Sequence, residues 1–405
     1  MLSTRETTAN AQIGSPAVSI VVPLHNAESY ASTLVASLKA QTFREFEVIL
    51  VDDGSTDGTA DALEREIVDD ARFKIISQEA AGPGVARNAG IAHARGAYIG
   101  FVDADDEINA HMVERAYGLA RKTKADIVIW QARHHNMKTG ATYPSPDRWN
   151  PREYPSVFDP HEHADNLFGS FRNWPWDKLF RREFLADNGI QFPALYRTED
   201  LAFTCSALAS ARRIALLDKR LYTYRVGGSS SSTQTLDQHP YDFIESCKLL
   251  RAYLKSHELM DTYEKTYVQW CTLCVHVNML GLQTPDAFLG VYRALKEGGL
   301  DDMGLTAEAV SGDADGENGA AADAVHEDAI NVAAARTVEI IRHCEPDEGA
   351  FLILRAEANR IEALRTGVSG IAQSRTYRAV KTLATPLLAL SRSSRRDWGR
   401  QDLRV

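Results

Sequence analysis

This chain is short of cysteine, of long apolar runs and of positive charge, and each shortage removes a class of function. Its five cysteines (Cys205, Cys247, Cys271, Cys274 and Cys344) are too few and too irregular among 405 residues for a disulfide framework. Cys271 and Cys274 make one Cys-x-x-Cys pair, but no second pair or histidine partner stands at zinc spacing, so reduced thiols are expected. No apolar stretch reaches the roughly 18 residues of a spanning helix. The polar segment Met1–Ala17 has no apolar centre of a secretion signal, so a cytoplasmic protein is expected. A formal net charge of −10 argues against a general nucleic-acid binder, which needs a basic footprint.

What is present is enough apolar residue for a sizeable core, 44% of the chain, over a length that calls for two or three domains. Up to about Gln131 the pattern alternates. Strands are predicted at Val18–Pro23, Phe46–Val51, Phe73–Ser77, Tyr98–Val102 and Asp126–Gln131. Helices are predicted at Ala27–Gln41, Thr56–Ile67 (capped by Ser55 or Thr56), Gly82–Ala94 and Asn109–Thr123. Such alternation indicates βαβ units and a largely parallel sheet, an α/β fold. An irregular stretch over 138–160, a helix over His161–Phe168 and the aromatic stretch Phe171–Phe180 follow. A helix over Leu201–Ser210 and a strand over Ile214–Tyr224 come next. After Tyr241 the pattern is mainly helical, interrupted near 298–325 by a Gly-, Ala- and Asp-rich segment that reads as a solvated loop.

Acids stand where two of these strands end. Asp52-Asp53-Gly54-Ser55 follows one, and Asp103-Ala104-Asp105-Asp106 follows another. The carboxyl ends of strands are where open α/β sheets bind ligands. If the second segment is extended, Asp103 and Asp105 point the same way and can face one hard cation, which also takes substrate phosphates. An acidic turn before the next helix is the plainer alternative. Asp53 can accept from a base N–H or a ribose hydroxyl, or serve only in a turn. Gly82–Gly90 allows close backbone approach and carries Arg87, a fixed cation for phosphate or carboxylate, or a bridge to Asp53 or Asp103. It has neither dinucleotide-binding nor P-loop spacing.

Taken together, Ser19-Ile-Val-Val-Pro-Leu-His-Asn26, VDDGSTDGT from Val51, GVARNAGI from Gly84, FVDADD from Phe101 and TEDLAF from Thr198 resemble a family 2 glycosyltransferase with the GT-A fold. The resemblance covers roughly residues 17–230 and matches enzymes of bacterial capsule, teichoic-acid and cell-surface polysaccharide assembly. It implies an inverting transferase that uses a nucleotide-diphospho-sugar, with a UDP-sugar expected, and Mn²⁺ or Mg²⁺. The implied roles are nucleobase contact at the backbone of Pro23, uracil recognition by Asp53, and a place near the nucleotide for Arg87. Asp103 and Asp105 are implied at the metal, ribose and diphosphate. Asp200 is implied as the base, with Glu199 beside it contacting sugar or acceptor. Inversion needs such a base, because an alcohol attacking the anomeric carbon must lose its proton. Asp200 as a simple helix cap is the alternative.

Four more residues are candidates. Trp176 (or Trp174) can stack on a sugar face and Lys178 can contact donor or acceptor, although aromatic residues also simply pack. Arg225 and Ser229, in a segment resembling the family's Y-x-Y-R…S, can reach the diphosphate or only shape a hairpin. The expected organisation is a flexible 1–16, a GT-A catalytic domain over 17–235, a helical region over 236–365 and a basic tail over 366–405. The tail carries eight Lys/Arg against two Asp and reads either as a peripheral membrane contact or as a solvated or subunit-packing segment. The helical region is open to three roles: acceptor platform, domain packing, or the interface of an oligomer such as a homodimer. Expected partners are the sugar nucleotide and a glycan, polyol-phosphate or lipid-linked acceptor, with no nucleic acid. A non-catalytic GT-A-like module that binds sugar nucleotide or glycan is the alternative function, and a base at Asp200 counts against it. A nucleotidyltransferase or a dehydrogenase would need glycines after the first strand, where Leu24-His-Asn-Ala-Glu28 stands.

Overall fold

The computed structural model describes residues 15–145, 149–227, 236–311 and, with short breaks, 322–356. Ser229 and the basic tail 366–405 lie outside the described residues. The chain divides into two units. The first holds the described residues up to 227 together with Glu245–Tyr267, and the second holds 236–244 and the residues from Val268 onward.

The first unit is built on one ten-stranded sheet. Its strands are β1 (Val18–Leu24), β2 (Phe46–Asp53), β3 (Phe73–Gln78), β4 (Tyr98–Phe101), β5 (Glu107–Ile108), β6 (Ile127–Asn136), β7 (Thr142–Pro144), β8 (Val157–Phe158), β9 (Lys178–Arg181) and β10 (Ile214–Val226). They lie in the order β3-β2-β1-β4-β9-β6-β10-β5, with β7 on β6 and β8 on β10. β1 to β4 are mutually parallel, as the alternating pattern predicts, and β6 runs parallel to β10. Every residue of β2 is buried, and all of β1 but Pro23, so these strands read as continuous apolar runs instead of alternating.

Helices α1 (Ala31–Lys39), α2 (Thr59–Ile67) and α3 (Pro83–His93) connect β1 to β4. The strand order reverses between β1 and β4, and the crevice at their carboxyl ends is the position where such sheets take ligands. Gly90 of α3 lets helix and sheet meet closely, since a Cβ there would lie 2.3 Å from Val21 Cγ1.

Three elements differ from the sequence expectation. β9 was hidden in the aromatic stretch; it lies antiparallel between β4 and β6, interrupting the parallel sheet. Four residues beginning with a lysine carry too little periodicity to announce a central strand. Neither Ser55 nor Thr56 caps α2. Its N-cap is Gly58, Asp57 accepts from Thr59 N at 3.0 Å, and Ser55 and Thr56 bond Asn26 at the exit of β1. In the second unit, residues 312–321 of the expected loop near 298–325 lie outside the described residues, and its flanks carry the helices Leu300–Asp302, Ala307–Ser311 and the start of Ala322–His343. Alanine-rich sequence has high helix propensity, which outweighs its acidic, glycine-bearing start. Lys296 Nζ donates to Cys344 O at 2.7 Å and Tyr292 Oη to Ile340 O at 2.9 Å within this unit. Among the described residues no helix is long and apolar enough to cross a membrane.

Gly90→Ala tests the close packing of α3 on β1. Alanine favours a helix interior by about 1 kcal/mol, but overpacking against the buried Val21 costs about 1–3 kcal/mol. Net destabilisation in urea unfolding is expected; a more stable variant would show that the contact is loose.

Candidate active site

Three chain segments converge at the carboxyl ends of β2 and β4. At the end of β2, Asp53 is buried and holds the loop before α3. Its Oδ1 accepts from Gln78 Nε2 at 2.7 Å and Ala81 N at 2.9 Å, and its Oδ2 from Gly82 N at 2.8 Å. Gly82 sits at φ +94°, a conformation that L side chains rarely adopt. A carboxylate offers about four acceptor positions, so one remains for a ligand. Pro23 is near the carboxyl end of β1, opposite Val51 of β2.

Arg87 projects from α3 and is 6% exposed. Its Nη2 donates to Asp103 Oδ1 at 2.9 Å and its Nη1 to Glu199 Oε1 at 2.6 Å, with the guanidinium over the Phe192 ring at 5.4 Å. Burial works against the charge, but Asp103 and Glu199 more than offset it and raise the affinity of Arg87 for its proton. Of the two bridges expected, the one to Asp103 forms. Glu199 replaces Asp53 as the second partner, because both oxygens of Asp53 are already engaged by the loop.

The run Asp103–Asp106 is a tight turn closed by Asp106 N to Asp103 O at 3.2 Å, which corrects the expectation of an extended segment. Asp103 and Asp105 remain partly exposed at the crevice, while Asp106 is turned inward and buried. Burial and then Asp103 raise the pKa of Asp105, so this carboxyl favours a proton or a cation. Among the described residues no three His, Cys, Asp or Glu side chains gather as a metal cluster. Two partly open carboxylates suit Mg²⁺ or Mn²⁺ completed by substrate phosphates and water.

Across Arg87 stand Glu199 and Asp200, the first residues of α7 (Glu199–Ser210). Asp200 does not cap this helix. The N-cap is Thr198, which holds the left-handed φ of 52°. A β-branched residue there is strained. The turn is held by Ser246 Oγ, which donates to Thr198 O at 2.6 Å and accepts from Ala202 N at 3.3 Å. Burial, and then the neighbouring Glu199, push the Asp200 carboxyl up to about 7, while Arg87 and a hydrogen bond with the Asn173 side chain pull it down.

Two predicted ligand contacts are not presented to the crevice. Lys178 is fully buried, and its Nζ donates to Phe171 O, Arg172 O, Trp174 O and Asp177 Oδ1 at 2.8, 3.3, 2.8 and 2.6 Å. A buried ammonium needs such partners, and here they fix the backbone of 171–174. Trp176 is buried between Trp174 (ring centroids 4.9 Å apart) and Tyr222 (4.5 Å), leaving no face for a sugar. Arg225 is drawn to Glu107 Oε1 at 2.7 Å, at the rim of the acidic turn.

A model of the Glycosyl transferase family 2 domain matches residues 19–189. The glycosyltransferase EpsH of Bacillus subtilis is 32% identical over 273 residues, a match that spans 65% of this chain and 77% of EpsH. The chain belongs to glycosyltransferase family 2. The poly(ribitol-phosphate) β-N-acetylglucosaminyltransferase TarS of Staphylococcus aureus is 30% identical over 257 residues, which is 61% of this transferase but only 42% of TarS. The structure of TarS 1–349 in complex with UDP superposes with a TM-score of 0.54 at 24% identity, covering 80% of this chain and 90% of that one. That likeness carries the GT-A fold.

The sequence did not reveal Asn173, Tyr222, Thr198 or Ser246 as parts of this transferase's site. Asn173 is one residue before the tryptophans that drew attention. Tyr222 belonged to a segment read for its arginine. Thr198 and Ser246 act through backbone shape, which no motif encodes.

Two outcomes follow from these charges. Arg87→Met leaves Glu199 buried without a partner and should cost about 3–5 kcal/mol in urea unfolding; a loss below about 1 kcal/mol would mean that the pair is solvent-screened. The folded pKa of Asp200 exceeds its unfolded value, so its contribution to stability is complete below about pH 4 and is lost as the pH rises through about 7. Asp200→Asn should therefore melt above wild type at pH 8 and together with it below pH 4. Equal melting at both pH values would contradict the raised pKa.

Proposed function

We propose that this transferase moves a sugar, with inversion, from a UDP-sugar to a hydroxyl of a cell-surface glycan, teichoic-acid-like or lipid-linked acceptor, with Asp200 as the base. The observation that carries this reading is the convergence of Asp103 and of Glu199, the chain neighbour of Asp200, on the buried Arg87. The Asp200 carboxyl, pushed up to about 7, titrates in the pH range where proton transfer is most effective. It is also one residue from Glu199, which shares Arg87 with Asp103. Base and acidic turn are thus joined through a single guanidinium.

In this mechanism the acceptor oxygen attacks the anomeric carbon from the side opposite the diphosphate. Its proton passes to the Asp200 carboxylate as the new C–O bond forms. The bond from the anomeric carbon to the diphosphate oxygen breaks, and the nucleoside diphosphate leaves with the electron pair. Asp103 and Asp105 would hold Mg²⁺ or Mn²⁺, whose charge offsets that developing on the leaving group. Asp53 would offer its remaining acceptor position to the base N–H, and the backbone of Pro23 would contact the nucleobase. Glu199 keeps Arg87 oriented and keeps negative charge beside Asp200, which favours the protonated acid after transfer. The choice of UDP follows the TarS complex, and the teichoic-acid-like acceptor follows the poly(ribitol-phosphate) activity of TarS.

Purified protein with Mn²⁺ should hydrolyse one member of a UDP-sugar panel slowly and lose that activity with chelator; neither binding nor turnover across the panel would overturn the donor reading. With the matching acceptor, kcat/KM should rise with pH along a limb near 7. Asp200→Asn should keep donor affinity and lose about 10²–10⁴-fold in transfer, and unchanged transfer would remove Asp200 from the role.

A further inference from the structure

Asp106 is the third acid of the turn, and its environment sets it apart from Asp103 and Asp105. It is 1% exposed, and both of its oxygens are taken by β10: Oδ1 accepts from Arg225 N at 2.8 Å and Oδ2 from the Tyr222 hydroxyl at 2.9 Å. Tyr222 is equally buried, and its oxygen accepts from Asp103 N at 3.0 Å. One hydroxyl therefore bridges the first and last residues of the turn, receiving from one and donating to the other. The ring below it cannot drift, because it stacks on Trp176 with centroids 4.5 Å and planes 18° apart. Trp176 in turn stacks on Trp174, next to Asn173, whose side chain bonds Asp200.

We propose that Tyr222 and Asp106 are positioning residues: the Tyr222 hydroxyl locks the Asp103–Asp106 turn in the shape that presents Asp103 and Asp105 to the donor diphosphate and its cation. Asp106 is a strut and not a ligand, although sequence alone offers three equivalent carboxylates. Removing the Tyr222 hydroxyl strands the buried Asp106 Oδ2 and the part-buried Asp103 N, and buried polar groups without partners are expelled or forced to move. The turn is short, so relaxing either end re-aims the two acids between them. This inference rests on the reading of Asp103 and Asp105 as donor-side groups, but the shape of the turn can be measured without any donor.

The experiment compares Tyr222→Phe and Asp106→Asn with wild type in two assays. Asp106→Asn keeps the shape but has one acceptor oxygen for two donors, the Tyr222 hydroxyl and Arg225 N, so one of them loses its partner. In hydrogen exchange without ligand, amides over 101–109 should exchange at least tenfold faster in both variants, while the amides of β2 and α3 stay protected. In calorimetry with Mn²⁺ and UDP, affinity should fall at least tenfold. In turnover, the donor KM should rise while the pH limb assigned to Asp200 stays in place. Unchanged exchange over 101–109 in a folded Tyr222→Phe protein overturns the lock. Faster exchange with UDP–Mn²⁺ affinity retained overturns its role in positioning. Uniformly faster exchange throughout the first unit would show a merely structural role and also overturns it. If wild type itself binds no UDP, the donor reading fails, and the exchange data still decide on the lock.

Discussion

One guanidinium organises this site. Arg87 is buried, and two carboxylates from distant parts of the chain reach it, Asp103 after β4 and Glu199 at the start of α7. Neither Arg87 nor Glu199 would be stable there alone, because an isolated charge in a dry setting costs several kcal/mol. Together with Asp103 they fix the distance between the acidic turn and the first residues of α7. The raised pKa of Asp200 is a by-product of this arrangement. It shares the enclosed space with Glu199, and only part of that repulsion is relieved by Arg87.

Around this centre the other polar groups act as scaffolding. Asp53 spends its carboxylate on the loop that brings α3, and hence Arg87, into place. Lys178 spends its ammonium on four acceptors that pin the segment bearing Asn173. The slab formed by Trp174, Trp176 and Tyr222 fills the space between that segment and the acidic turn. Asp53 and Lys178 are thus satisfied mainly by backbone groups. The exception in character is the strained Thr198, whose left-handed conformation delivers Glu199 and Asp200 to the crevice. Strain of this kind persists where surrounding contacts over-determine it, and here Ser246 provides them.

Much of this was legible in the sequence because the parallel half of the fold writes itself locally. β1, β2 and β4 are buried apolar runs, and the acids that end β2 and β4 are visible as interruptions. Arg87 was legible as a fixed cation near carboxylates, with Asp103 among its alternative partners, whereas its bond to Glu199 was not. What was not legible depends on contacts between distant segments. The antiparallel β9 gains its place only by pairing with β4 and β6. Lys178 and Trp176 are residue types that bind sugars or phosphates when exposed, and only packing reveals that they are buried. The three acids at 103–106 look equivalent in one dimension. The turn separates them, leaving two at the crevice and one in the core.

The account stands or falls on the ionisation of Asp200. Carboxyl carbons of aspartate labelled with ¹³C can be followed by NMR through a pH titration of wild type and of Asp200→Asn. The arrangement of Asp200, Glu199 and Arg87 predicts one carboxyl with a midpoint near 7 that is missing from the variant. If the resonance removed by that substitution instead titrates near 4, as an ordinary aspartate does, Asp200 is not poised as a base and the central claim is wrong.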